Sequence, residues 1–479
     1  MAKKDLLSYI REGRTMTRSE QLSLIVQLSI PSILAQLSAT VMFFIDYAMV
    51  GHLGEKATAS VGLVETTTWL MGGLGSAVNM GFAVQVAHFI GANDFEGARR
   101  VLRQSLVCSF AWSLLLSLLS VMVCRPLPFW LGGSADIAHD ASMYFLIIGL
   151  SGIFFQMEGL AGSMLKSSGN MKIPSALNIL MCVMDVVFNY VFIDQLGMGV
   201  KGAAMGTGMA ELITCGLMLY FLLWRSPMLR LFGEAEPSSL HPSPFTSHPS
   251  PLPPHQSFRP TSDVVGTAFK IGAPMGLQHL LMGSAQIVST ILVAPLGTVA
   301  IASNSMAITV ESLCYMPGYG IAEAATTLVG QGIGAGQRLL TRSFAYMSVG
   351  LGIAVMSLMG VLMFAFAPEL MAIMSPVQDI ITEGARALRI EAFAEPMFAA
   401  AIVCNGVFVG AGDTLKPAIM SLTSMWGVRL TLAAWLAKDH GLRGVWTAMA
   451  IELTFRGLIF LIRLFKGSWN KSLQTESKA

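Results

Sequence analysis

Long apolar stretches, broken by short polar or glycine-containing turns, run through most of this chain. They lie near 22–48, 57–90, 102–124, 140–165, 173–193 and 202–224, and again near 265–295, 300–330, 343–366, 384–410, 417–437 and 444–465. Each reaches the roughly 20 residues that a helix needs to cross about 30 Å of hydrocarbon. The pattern therefore predicts an all-α integral membrane protein with twelve transmembrane helices. Several stretches exceed the minimum and carry Gly or Pro, so tilts, kinks or re-entrant ends are expected.

The second six stretches copy the first six. A shift of 243 residues places Pro31 on Pro274, Leu53-Gly54 on Leu296-Gly297, and Ile90-Gly91-Ala92 on Ile333-Gly334-Ala335; it also carries Arg99 to Arg342, Gly169 to Gly412 and Pro174 to Pro417. An even number of helices in each copy brings the second into the membrane in the same direction as the first. Two parallel six-helix bundles related by a pseudo-two-fold axis along the membrane normal are expected, with a cleft between them suited to alternating access. The predicted layout is an N-terminal segment (1–21), a first lobe (22–232), a linker (233–263), a second lobe (264–466) and a tail (467–479). The linker, "GEAEPSSLHPSPFTSHPSPLPPHQSFRPTSD", has proline and serine spacing that suits an extended chain better than its histidines suit a metal tract.

Composition supports this reading. Of the 479 residues, 54% are hydrophobic and 12% charged, far from the balance of a soluble domain. The net charge of +2 points to neither nucleic acid nor an acidic partner. With the N-terminus on the cytoplasmic side, twenty Lys and Arg fall on that side and seven on the other, so both termini are expected to be cytoplasmic. The 6 cysteines lie in or beside apolar runs without metal-ligand spacing and read as small core residues. The sequence shows no catalytic nucleophile or phosphate loop; "GIGAG" at 332–336 repeats "FIGAN" and reads as a helix-end turn. The chain is therefore not expected to be an enzyme or to hold a cofactor.

Candidate chemistry lies in the few polar groups within the apolar runs, where a carboxylate costs about 2.5–3.5 kcal/mol on insertion scales. Asp46 stands in "FFIDYAMVGHLG" and is either functional or an interfacial residue near the loop at Gly51. In "ALNILMCVMDVVFNYVFI", Asn178, Asp185 and Asn189 are spaced by seven and four and share one helix face. They form either a cation site or an interhelical packing network. Under the repeat, Asp46 maps to Ser289, Asp185 to Val428 and Asn189 to Leu432, an asymmetry that packing alone does not predict. Two such aspartates can share a proton or hold a small hard cation such as Na⁺ by oxygen coordination, which would make Asp46 and Asp185 metal ligands. Glu211 and Glu452 occupy nearly matching places and read as structural pairing, Glu452 with Arg456. Gln278, His279, Glu311, Glu391 and Glu395 are candidates to line a cleft for an amphipathic organic cation, with Arg429 as an alternative partner for the acids. Pro31 and Pro274 match each other and read as an inherited static kink.

The motifs "DYAMVGHLG", "GAND", "SSGNMKIP", "GVKGAAMGT", "VGQGIGAG" and "GAGDTLKP", in this order and spacing, resemble the multidrug and toxic compound extrusion (MATE) family, and within it the DinF-like branch. The resemblance implies a twelve-helix, two-lobe antiporter of the bacterial inner membrane that exports drugs or metabolites in exchange for H⁺ or Na⁺, and a monomer is expected. Asp46 then resembles the family's helix 1 aspartate, and Thr207, in "GAAMGT", its helix 6 threonine. The branch usually shows Asn followed four residues later by Asp; here the order is reversed in Asp185 and Asn189. Met282 stands where other branches carry an acid on helix 7. A lipid-linked precursor flippase of the same superfamily is the nearest alternative, although it needs cationic groups and the candidates here are mainly acidic. A membrane scaffold or receptor is a further alternative.

Overall fold

The computed structural model describes residues 6–232, 258–467 and 469, and these residues form helices without strands. Most of the linker lies outside the described residues. A short helix α1 (Leu6–Arg11) precedes α2 (Arg18–Gly51), α3 (Glu55–Gly91), α4 (Phe95–Val123), the single turn α5 (Leu127–Trp130), α6 (Ala135–Ser167), α7 (Lys172–Asn189) and α8 (Val200–Tyr220). The second half follows with α9 (Ser262–Val293), α10 (Thr298–Gly334), α11 (Arg338–Ala365), α12 (Ala367–Met374), α13 (Gln378–Glu391), α14 (Glu395–Gly410), α15 (Leu415–Leu422) and α16 (Leu430–Lys466).

These elements account for all twelve expected spans, with two differences in shape. The span expected over 384–410 is broken: α13 and α14 meet at a bend of 60°. Pro396 explains the break, since proline is accepted in the first turn of a helix and disrupts the helix interior. The last two spans form one run, Leu415–Lys466, in which Gly441 at φ 57 marks the corner. Helix α10 is as long as α3 and carries Asn304, Glu311 and Glu323 within its apolar run. Between α3 and α4 the chain turns at Asn93, which takes the left-handed conformation that Asn tolerates. Asp94 then caps α4 by accepting the Gly97 N–H at 2.8 Å.

By packing, the chain divides into two compact units. The first holds residues up to Met16, Val41–Gly276 and Gly330–Gln337; the second holds Thr17–Thr40, Leu277–Val329 and Arg338 onward. Each unit thus includes the opening half of a helix from the other repeat. In the first unit, Ala77 of α3 meets Gly276 of α9; in the second, Gly320 of α10 meets Ile33 of α2, the same pair shifted by 243.

Within the first unit the ends of α3 and α10 cross so closely that side chains are excluded. A Cβ on Gly91 would lie 2.0 Å from the Gln331 carbonyl oxygen, and one on Gly334 would lie 1.9 Å from that of His88. The two contacts are repeat copies of each other, which gives a physical reason for "IGA" in both halves. Because backbone is the obstacle, Gly334→Ala is expected to cost about 1–3 kcal/mol through overpacking. A melting temperature in detergent equal to wild type would count against this crossing.

The core of the first unit is built from small and apolar side chains on one face of each helix. Helix α4 turns a stripe of buried serines inward at Ser105, Ser109, Ser113, Ser117 and Ser120. Ser117 donates to the Gly149 carbonyl at 2.7 Å and Ser109 to Asn79 Oδ1 at 3.2 Å, so small polar residues let helices approach while their hydroxyls are satisfied.

Candidate functional site

The first unit brings α2, α7 and α8 together around four of the expected polar side chains, Asp46, Asp185, Asn189 and Thr207. The four-residue spacing of Asp185 and Asn189 places both on one face of α7, fully buried at 0% and 1% exposure. Asp46, near the end of α2, is half-buried. The Asn189 amide nitrogen donates to Asp46 Oδ1 at 2.9 Å and to Asp185 Oδ2 at 3.2 Å, so a single neutral amide bridges two carboxylates on different helices. Asp185 Oδ1 and Asn189 Oδ1 are buried without a hydrogen-bond partner. Thr207 of α8 donates to the Ala203 carbonyl at 3.2 Å and lies beside Asp185. Directly after Asn189 the helix widens into a π turn over Tyr190–Gln195, a distortion often found at functional sites.

The chemistry of this group is that of an oxygen-rich, anionic pocket. Among the described residues no Lys, Arg or His pairs with Asp46 or Asp185, whose partners are each other, Asn189 and Thr207. Two adjacent carboxylates in a low-dielectric interior demand a positive charge, and this donor set suits a proton or a small hard cation. The bridge depends on Gly206, where a Cβ would lie 2.0 Å from Asn189 Oδ1. Gly206→Ala should therefore displace the amide and destabilise the protein by about 1–3 kcal/mol through overpacking. A wild-type melting temperature for Gly206→Ala in detergent would show that the bridge does not depend on this glycine.

Asn178 does not join this group. With its amide oriented to donate, it contacts the Pro174 carbonyl at 3.0 Å and Glu158 Oε1 at 2.9 Å. Glu158, on α6, belongs with Glu211 of α8 to a separate acidic pair that also neighbours Cys215. Glu158 is missing from the sequence-derived candidates, although it carried the same signal as Asp46: one carboxylate in an apolar helix. Glu211 Oε2 has no partner, unlike the paired Glu452.

The second unit gathers different acids. Glu311, Glu391 and Glu395 are buried at 5%, 0% and 0% exposure, and both carboxylate oxygens of Glu391 and of Glu395 are without partners. Glu391 and Glu395 flank the break between α13 and α14. Arg429 lies in electrostatic range of Glu311, Glu391 and Glu452. Glu452 is held by Arg456 through two bonds of 2.7 and 2.8 Å and by Ser424 at 2.6 Å. Gln278 is half-buried and His279 exposed, and among the described residues no hydrogen bond joins either to Glu311 or Glu395. Of the expected cleft set, Glu311 and Glu395 lie in electrostatic range of each other, while Gln278 and His279 are carried by α9.

A profile described as MatE matches residues 31–191 and again 274–435, starting at points separated by the 243-residue repeat. The chain belongs to the MatE family. It is accordingly a multi-pass membrane transporter rather than an enzyme. A probable multidrug resistance protein NorM from Thermotoga maritima is 24% identical over 453 residues, covering 93% of each chain. A crystal structure of MATE in complex with MaL6 superposes with a TM-score of 0.87 at 20% identity, over 98% of this chain and 100% of that one. A MOP superfamily transporter from Pyrococcus furiosus gives a TM-score of 0.85 at 19% identity and 100% coverage of both chains. The two structures share the all-helical, two-lobed MatE fold with this chain.

Proposed function

We propose that this MatE transporter is a secondary antiporter that exports amphipathic organic cations, drugs or metabolites, in exchange for H⁺ or Na⁺. The observation that carries the reading is the Asn189 amide joining Asp46 and Asp185, two carboxylates that no protein cation neutralises. In this scheme the coupling ion occupies the group formed by Asp46, Asp185, Asn189 and Thr207. Filling or emptying it changes the charge between α2 and α7, so ion and exported compound favour different arrangements of the chain, the basis of alternating access. The multidrug resistance relatives support the substrate class, the bacterial relatives support an inner-membrane location, and the excess of Lys and Arg on one side supports cytoplasmic termini. The chain acts as a monomer surrounded by lipid.

The test uses purified protein in liposomes, with tetraphenylphosphonium as the transported probe. A pH gradient or a Na⁺ gradient imposed alone is expected to drive accumulation of the probe. Transport under neither gradient would reject the proposal. Gradient-independent movement of a lipid-linked precursor in the same vesicles would instead favour a flippase.

A further inference from the structure

Glu65 lies in "VGLVETTTWLMG", within α3. Its Oε1 accepts the Trp69 indole N–H at 3.2 Å, and its Oε2 accepts the Tyr47 hydroxyl of α2. The Phe43 ring completes the wall, 5.4 Å from the rings of both Tyr47 and Trp69. Three aromatic side chains from two helices of the first unit thus surround one carboxylate.

This carboxylate has orientation but no counter-ion. Both donors are neutral, and among the described residues no Lys, Arg or His pairs with Glu65. Its indole partner is open: Trp69 is 62% exposed. At about 1.5 Å per residue, Trp69 lies roughly 20 Å along α3 from Glu55, inside the hydrocarbon depth and away from the interfacial belt that usually holds exposed tryptophan. The repeat adds an independent argument. A shift of 243 takes Phe43, Tyr47, Glu65 and Trp69 to Gln286, Thr290, Ile308 and Ser312, so the whole cluster is confined to the half that also carries Asp46 and Asp185. A cluster that served the shared scaffold would have a counterpart.

We infer that Phe43, Tyr47, Glu65 and Trp69 form the docking site for the charged end of an amphipathic organic cation. Glu65 receives the positive charge, and the faces of Trp69 and Phe43 hold the adjoining rings by stacking and cation–π attraction. The inference rests on the export of organic cations proposed above and adds the place where the charge is received. It also supplies a route for coupling. Tyr144 of α6 lies in electrostatic range of Glu65, Asp46 and Asp185, and Tyr47 directly follows Asp46. A cation at each group would repel the other, so each ligand weakens the other by the same factor.

Equilibrium binding of radiolabelled tetraphenylphosphonium to the purified full chain tests the assignment, with melting temperatures recorded for every variant. Glu65→Gln and Trp69→Leu are expected to raise Kd about tenfold or more, and Trp69→Phe, which keeps an aromatic face, to stay within about threefold of wild type. If Glu65→Gln does not fold, Trp69→Leu and Phe43→Leu, which leave the carboxylate in place, carry the same expectation. Wild-type Kd in folded Glu65→Gln and Trp69→Leu proteins overturns the docking site while leaving ion-coupled export standing. A wild-type protein that neither binds nor moves the probe overturns both.

Discussion

Asp185→Asn is expected to reduce gradient-driven export by roughly 100-fold, towards the upper range of measured coupling between sites. The substitution keeps the shape of a side chain that is 0% exposed and can still meet the Asn189 amide, but it cannot carry a charge. Because the change is nearly isosteric, the protein should fold, and exchange of labelled tetraphenylphosphonium across liposomes without any gradient should persist. Asp46→Asn should behave alike, since its Oδ1 accepts from the same amide. Driven uptake and gradient-free exchange, measured on the same preparation, separate lost coupling from lost structure. A parallel fall in both would mark Asp185 as structural.

Arg456→Met should be the most destabilising change in the second unit, by about 3–5 kcal/mol, the usual cost of stripping one partner from a buried ion pair. Glu452 is 0% exposed and Arg456 9%, and the guanidinium reaches both carboxylate oxygens, so its removal leaves Ser424 as the remaining hydrogen-bond partner. The penalty comes from a stranded charge rather than from lost volume. The double substitution Glu452→Gln with Arg456→Met should therefore recover much of the loss. Denaturant unfolding in mixed micelles checks the comparison; equal stability of the single and double variants would show that the pair carries no such charge penalty.

How much of this was visible in the sequence depended on the kind of signal. The membrane helices and the 243-residue repeat follow from hydrophobic length and spacing, which tertiary packing does not alter. Asp46, Asp185 and Asn189 stood out because polar groups are conspicuous in apolar runs, and the fold brings these three together. Asn178 shares their helix face, but seven residues separate it from Asp185, about 10 Å along the axis, and at that depth it meets Glu158. Facing direction was legible; depth was not. The broken helix at Glu391 and Glu395 had its markers in Pro396 and in the charges of α13, Glu383, Arg386 and Arg389, which the strongly apolar run of α14 outweighed. The division of α2 after Thr40 left no trace in hydrophobicity, because the apolar run passes through Ala39-Thr40-Val41 without a break while the two parts pack in different units. Glu65 lies beside three threonines, which soften the contrast that exposed Asp46.

The most direct measurement records ion and substrate fluxes together in liposomes bearing wild-type protein or the Asp46→Asn, Asp185→Asn double variant. The wild type should move H⁺ or Na⁺ against tetraphenylphosphonium at a fixed ratio, and the double variant should exchange the probe with no ion counter-flux. Counter-flux at the wild-type ratio in the double variant would contradict the account, because the coupling ion would then travel without the two carboxylates.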